Sequence, residues 1–295
     1  MNEIDARILE QIDVFMVVEI VSTFFLILII AESAFDFITK RRPKWRETAA
    51  NIVISLGNTL LERTIIGAIF IIGLVAVEPF ALFNIPVTWW SWVLAVLGAD
   101  LTYYWMHRIE HERRVLWAVH SVHHSSEEYN LTTSFRLSWV ENFYEWIFFV
   151  PMVIIGFDPI QVLAGLLLVV VYQTWIHTEK IGKLGWLDMV FNTPSVHRVH
   201  HGNNPQYIDK NYGGILILWD HLFGSFQAEE EKVVYGLTTQ LKTSNPLAIN
   251  FHEFGNIFKD VFQAKRLSDA LGYVFAKPGW HPPQMHRTQN ESQNH

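Results

Sequence analysis

The chain has 295 residues and no cysteine. That excludes disulfides, thiolate zinc sites, iron–sulfur clusters and a cysteine nucleophile. Charge is also scarce. Asp, Glu, Lys and Arg make up 17% of the residues, against roughly 25% in soluble domains. With a mean hydropathy of +0.17, this chain is too apolar for an ordinary cytosolic globule or for disorder. A basic footprint is missing as well. The net charge is −7, which points away from nucleic acid as a partner. Hydrophobic residues, by contrast, reach 50%, and histidine occurs 14 times.

The apolar residues fall in runs. A membrane span needs about 20 of them in succession. Candidates are 14–31, 64–77 extended backwards through 51–63, 87–106, 143–157 and 159–176. The last two flank Gly156-Phe157-Asp158-Pro159, a turn too short for a domain, so they read as a helical hairpin. Lys and Arg in short loops set the orientation. The loop 39–46 holds five of them, whereas the segment before the first run holds only Arg7. The first loop and everything that alternates with it therefore read as cytoplasmic, including 108–136 and the chain after 176. The acidic N-terminus does not read as a cleaved signal peptide.

The histidines are clustered. His107 and His111 sit where the third run ends. His120, His123 and His124 follow, His177 ends the fifth run, and His197, His200 and His201 come next. Residues three and four apart share one helix face, so each cluster aims its rings together. One ion takes about three to four imidazoles, so nine imply two ions. Imidazole suits iron, zinc, copper or nickel. The expected fold is an all-α integral membrane protein with about four to five transmembrane helices and a cytoplasmic helical cap carrying the dimetal site. Its expected regions are 1–106 (helices and basic loop), 107–227 (histidine-rich, including the hairpin 143–176), 228–283 (cap and amphipathic helix) and 284–295 (disordered tail). His221, His252, His281, His286 and His295 read as ordinary.

Around these residues the sequence resembles the fatty acid hydroxylase / sterol desaturase superfamily of membrane diiron oxygenases, especially its alkylglycerol monooxygenase-like branch. The resemblance rests on Asp100 to Glu112, Trp117 to Thr133, Trp175 to Glu179, Asn192 to Gly202, Asp209 to Asp220, and Phe223-Gly224. It covers about 90–227 closely and extends more loosely to 283. It implies two irons held by the nine histidines, O₂ as co-substrate and hydroxylation, desaturation or ether cleavage of a lipid. In that branch the reductant is tetrahydrobiopterin. It also suggests Tyr129 and Asn130 as cofactor-pocket residues. Two departures stand out. The family often has a histidine where Val196 stands, and some hydroxylases have one where Ile181 stands. The tenth ligand is thus absent, leaving water, Asn192 or a carboxylate.

Attack on an unactivated C–H bond needs redox chemistry, which iron has and zinc lacks. Metal-bound imidazoles usually donate their other N–H to a carboxylate or carbonyl. Asp100, two turns before His107, together with Glu112, Glu179 and Asp220, are the expected partners. The chain has no HPGG haem motif and no GxGxxG fingerprint, so electrons come from a pterin or an electron-transfer protein. Two other readings compete. A zinc hydrolase would want HExxH spacing, which His111-Glu112 does not complete. A metal transporter would want ligands at mid-membrane. Finally, 247–265 reads as an amphipathic helix with Leu247, Phe251, Phe254, Phe258, Val261 and Lys265 at helical spacing, suited to the membrane surface or to packing on the cap, with cap packing the preferred reading.

Overall fold

The computed structural model describes residues 20, 23–39, 45–62 and 64–283. The described residues are helical, with no strand and only two isolated bridges, Phe191 with Leu216 and Gly202 with Tyr235. The helices are α1 (23–38), α2 (Trp45–Glu62), α3 (Ile65–Val77), α4 (Trp89–Glu112) and α5 (Arg114–His124). After a loop come α6 (Glu145–Ile155), α7 (Pro159–Thr174), α8 (Pro194–His200), α9 (Leu218–Phe223), α10 (Pro246–Gln263) and α11 (Leu267–Phe275).

The apolar core lies between α3, α4, α6 and α7. Phe70, Leu74, Ala99, Met106, Phe149, Met152 and Leu166 are buried together there. Small residues let α4 and α7 approach. A Cβ on Gly165 would lie 2.8 Å from the Ala99 Cβ and 3.1 Å from the Ala95 carbonyl. The α6–α7 turn follows from its residues. Gly156 takes φ 119°, and its missing Cβ would strike the Phe83 carbonyl at 2.2 Å. Asp158 then caps α7 by accepting from the Ile160 and Gln161 amides, and Pro159 fills the first helical position, where a missing N–H costs nothing.

Several expected boundaries differ. The second apolar run is two helices. The Thr64 amide and hydroxyl both donate back to the Leu61 carbonyl, at 2.9 and 2.5 Å, and this turn ends α2. The third run continues past 106 to Glu112, so His107 and His111 share α4. Helices α6 and α7 have 11 and 16 residues. At 1.5 Å per residue they reach about 16 and 24 Å, short of a hydrocarbon core of about 30 Å. Among the described residues no helix is long and apolar enough to cross a membrane. Part of the first expected span, and the expected tail 284–295, lie outside the described residues.

Helix α10 lies where expected but packs differently. Ile249, Asn250 and Ile257 are its buried residues, while Leu247, Phe251 and Phe258 are exposed. The inward seam is offset because Arg114 of α5 captures Glu253 and Asp260 at 2.7 Å each and turns that acidic edge inward.

Candidate metal centre

Four segments carry the histidines to one place. The last turns of α4 bring His107 and His111. The chain turns at Arg113, whose extended backbone (φ −123°, ψ 117°) ends α4, and α5 brings His120, His123 and His124. His177 follows the end of α7, with its Nδ1 on the Gln173 carbonyl at 2.7 Å. Helix α8 opens with Thr193 as cap and Pro194 at its first position, and carries His197 and His200, with His201 as its C-cap.

All nine are buried, and they divide into two sets. His107, His111, His120, His124 and His200 form one; His123, His177, His197 and His201 form the other. Within each set the ring nitrogens lie within 4.8 Å of one another. Several Nε2 pairs are much closer. His107 and His120 are 2.9 Å apart, and His124 and His200 are 3.0 Å apart. In the second set His177 is 3.1 Å from both His123 and His197, and His197 is 3.2 Å from His201.

These contacts are not ordinary hydrogen bonds. Nδ1 of His107 donates to the Tyr212 carbonyl at 2.9 Å, so the neutral ring has no proton on Nε2. Nδ1 of His120 faces the Glu110 carboxyl at 3.2 Å. With the ring proton on that side, two Nε2 lone pairs oppose each other at 2.9 Å. A second proton is not the remedy. Burial, aided by neighbouring His111, pushes His107 down to about 3, and burial pushes His177 down to about 4. Burial also holds His120, His123, His124, His197, His200 and His201 well below the usual imidazole range. Neutral imidazoles with converging lone pairs fit a metal cation. The spacing also carries information. Two nitrogens about 2.1 Å from one ion are about 3.0 Å apart at a right angle and about 3.4 Å apart at the tetrahedral angle. The observed 2.9–3.2 Å is the separation of neighbouring nitrogens on one ion.

The outer nitrogens are held mostly by groups that spacing alone does not reveal. The partners are the carbonyls of Tyr212, Gln173 and Lys210, the last accepting from His200 at 2.9 Å. Glu110 is buried and also accepts from the Tyr144 hydroxyl at 2.6 Å. Burial raises its carboxyl well above the usual range. Asp209 approaches His111 Nδ1 at 3.5 Å. Two buried ring nitrogens, His111 Nε2 and His123 Nδ1, have no hydrogen-bond partner.

The expected partners act elsewhere. Asp100 touches no histidine. It accepts from the Ile215 amide (2.6 Å), the Leu216 amide (3.1 Å) and Trp219 Nε1 (2.9 Å). It thereby pins the loop whose Tyr212 carbonyl receives His107. Gly214 permits this approach, because a Cβ there would lie 2.8 Å from Asp100 Oδ1. Asp220 pins the same loop through the Tyr212 and Gly213 amides at 2.8 and 2.7 Å. Burial raises its carboxyl to about 6. Glu112 pairs with Arg108 one turn earlier, at 3.1 Å. Glu179 accepts from the Tyr235 hydroxyl at 3.3 Å. Asn192 is near His197 Nδ1 (3.3 Å) and donates to the Gly213 carbonyl at 2.6 Å, so it lies behind the ring rather than among the converging nitrogens. Tyr129 stacks on Tyr235 at 4.8 Å and lies 5.1 Å from the His201 ring. Asn130 caps the turn 131–135 through the Thr132 amide. His221 stacks on Phe226 at 3.9 Å, outside both sets.

Sequence reasoning also missed two buried arginines that lock the frame. Arg136 donates to the Val122 carbonyl, Ser125, Asn51 and Glu47, tying the end of α5 to α2. Arg198 binds Glu229 through two nitrogens and the carbonyls of Thr178 and Ile181. Nothing in their spacing distinguished them from surface arginines.

Two cavities flank the cluster. One, of about 350 Å³, is walled by Phe70, Leu163, Leu166 and Val170 and reaches His120, His123 and His177. The other, of about 310 Å³, is bordered by Trp117, Asn203, Asp209 and Lys277 and reaches His111, His124, His200 and His201.

The fold and site together define an all-helical protein with a buried histidine cluster suited to metal. Residues 92–225 match the family model described as fatty acid hydroxylase. It is 42% identical over 265 residues to human alkylglycerol monooxygenase, covering 88% of this chain and 59% of that protein. It is 45% identical over 193 residues to the zebrafish (Danio rerio) alkylglycerol monooxygenase, covering 65% and 43%. It is 29% identical over 136 residues to an ornithine lipid hydroxylase of Rhizobium tropici, covering 45% and 41%. The chain therefore spans about half the length of the curated relatives it matches. No solved structure matches.

Proposed function

We propose that the chain is an O₂-dependent diiron oxygenase acting on a lipid, with hydroxylation of an ether lipid, fatty acyl chain or sterol as its reaction type. The observation that carries this reading is the convergence of nine buried, neutral imidazoles, as where the Nε2 atoms of His107 and His120 stand 2.9 Å apart. A cation satisfies such lone pairs, and sets of five and four call for two.

The residues divide the work. His107, His111, His120, His124 and His200 would hold one iron, and His123, His177, His197 and His201 the other. When bound, the iron pair supplies the redox activation of O₂ that an unactivated C–H bond requires. The chain supplies orientation and exclusion of water. Carbonyls of Tyr212, Gln173 and Lys210 fix the ring tautomers. Asp100 and Asp220 keep the Tyr212 loop in register. The cavity walled by Phe70, Leu163 and Leu166 receives an alkyl chain and brings its carbons to the histidines. A tetrahydropterin or an electron-transfer protein supplies the electrons, since these residues include no cysteine to hold an iron–sulfur group.

The same reading makes this a multi-pass membrane protein with its site at the cytoplasmic face, in a bacterial inner membrane or a eukaryotic ER membrane. Support comes from the outward apolar surface. Val93, Leu94 and Leu97 on α4 and Leu167, Leu168 and Val171 on α7 are exposed, a pattern suited to lipid. A zinc hydrolase is less well supported, because His111-Glu112 does not complete the HExxH spacing such enzymes use. The test is lipid profiling of a strain lacking the protein against its parent, grown in air. Accumulation of an unmodified lipid with loss of its oxidised product is expected; identical profiles would count against the reading.

A further inference from the structure

The exposed surface of α10 divides into sectors. Leu247, Phe251, Gly255, Phe258 and Phe262 project within about 80° of one another at 100° per residue. All five are exposed, Phe258 by 73% and Phe262 by 84%. Next around the helix come Asn256, Lys259 and Gln263, also exposed. The remaining sector faces the protein through Ile249, Asn250 and Ile257. Helix α11 repeats the pattern with Leu267, Leu271 and Phe275 exposed and Tyr273 buried.

Charge is sorted along the same lines. The acidic residues of α10, Glu253 and Asp260, are turned inward onto Arg114. The exposed charges beside the apolar stripe are Lys259, Lys265 and Arg266. An apolar stripe edged by cations matches the boundary between acyl chains and anionic headgroups. A protein partner would more often meet aromatic anchors with mixed charge around them. The stripe also continues an outward apolar surface. Phe251 packs on Trp139 at 6.3 Å, and the Trp139 ring fills the space beside Gly57 of α2. Helix α2 in turn exposes Ile52, Val53, Leu56 and Leu60.

We infer that α10 and α11 form an interfacial foot that lies on the bilayer surface, with the phenylalanines of α10 in the acyl boundary and Lys259, Lys265 and Arg266 at anionic headgroups. The inference rests on the membrane reading above and adds a second mode of lipid contact to it. Its consequence for the site is positional. Arg114, which clamps the foot through Glu253, Asp260 and the Tyr273 ring (5.9 Å), opens the helix that carries His120, His123 and His124.

The absence of cysteine makes the test clean. Single variants Phe258→Cys, Phe262→Cys, Asn256→Cys and Val93→Cys of the full chain would carry nitroxide labels in nanodiscs of phosphatidylcholine with phosphatidylglycerol. Collision with O₂, which concentrates in acyl chains, is compared with collision with a water-soluble nickel chelate. The expected O₂-to-nickel ratio at 258 and 262 is at least about threefold that at 256, with 93 also lipid-exposed. Ratios at 258 and 262 equal to that at 256, with 93 still in lipid, would overturn the foot and leave the membrane reading standing. Water exposure at 93 would remove the membrane reading and the foot with it. Close dipolar broadening between labels at 258 would assign the stripe to a second copy of this chain and overturn the inference.

Discussion

The two histidine sets have the same ligand chemistry but different surroundings. The five-histidine set is backed by carboxylates, Glu110 on His120 and Asp209 near His111, and three of its members border the cavity with Asp209 and Lys277. The four-histidine set is backed by the Gln173 carbonyl and by Asn192. Two of its members, His123 and His177, border the apolar cavity together with His120 of the first set, and His201 borders the other cavity. The contrast therefore lies in what backs the rings, carboxyl groups on one set and amide groups on the other, while each cavity reaches both sets.

The largest effect should come from breaking the four-histidine set. His197 touches His177, His201 and Asn192. For His197→Ala we expect activity to fall by more than about 100-fold and iron to drop from two per chain to about one. Loss of both irons would show that the sets bind as a single unit. Next is removal of metal altogether. Chelation should lower the thermal midpoint, because opposed lone pairs are left without a cation, and iron should restore it. The metal-free protein should also be acid-sensitive in a particular window. Its buried imidazoles take up protons less readily folded than unfolded. Stability is therefore complete above the ordinary imidazole value of about 6.5 and declines as pH falls from there toward about 4. Acid unfolding followed by circular dichroism checks this. A midpoint confined to the carboxylate range would contradict it.

Smaller effects separate the two surroundings. Leu163→Trp, which fills the apolar cavity, should raise KM for a long-chain substrate by about tenfold while iron content holds. Unchanged KM would move the substrate path elsewhere. Glu110→Gln replaces the carboxyl behind His120 with an amide. About a tenfold loss of iron affinity is expected at the five-histidine set only, readable by metal titration. Equal loss at both sets would remove the contrast.

Eight of the nine histidines were legible because HxxxH and HxxHH spacing is a helix-face pattern that needs no tertiary knowledge, while His177 stood out only as the end of an apolar run. Their division into five and four was not legible, because His200 and His201 are adjacent in sequence yet serve different sets. The outer partners were also hidden. The Tyr212 carbonyl reaches His107 across 105 residues, and backbone carbonyls carry no residue signature. Asp100 was placed beneath His107 by helical periodicity, which cannot reveal the loop that folds onto it through the Ile215 and Leu216 amides. The turn at Thr64 was masked by the apolar residues that continue on both sides. The offset seam of α10 follows from the Arg114 clamp, a contact made from another helix.

The central claim is that the chain uses its paired imidazole sets for oxygen transfer to lipid. The direct test is single turnover of the iron-loaded, reduced protein with ¹⁸O₂ and candidate lipids, read by mass spectrometry of the product. Hydroxylation with one ¹⁸O atom from the gas, dependent on iron and lost in His197→Ala, is the predicted result. Product oxygen drawn only from water, or equal turnover with zinc in place of iron, would contradict the account.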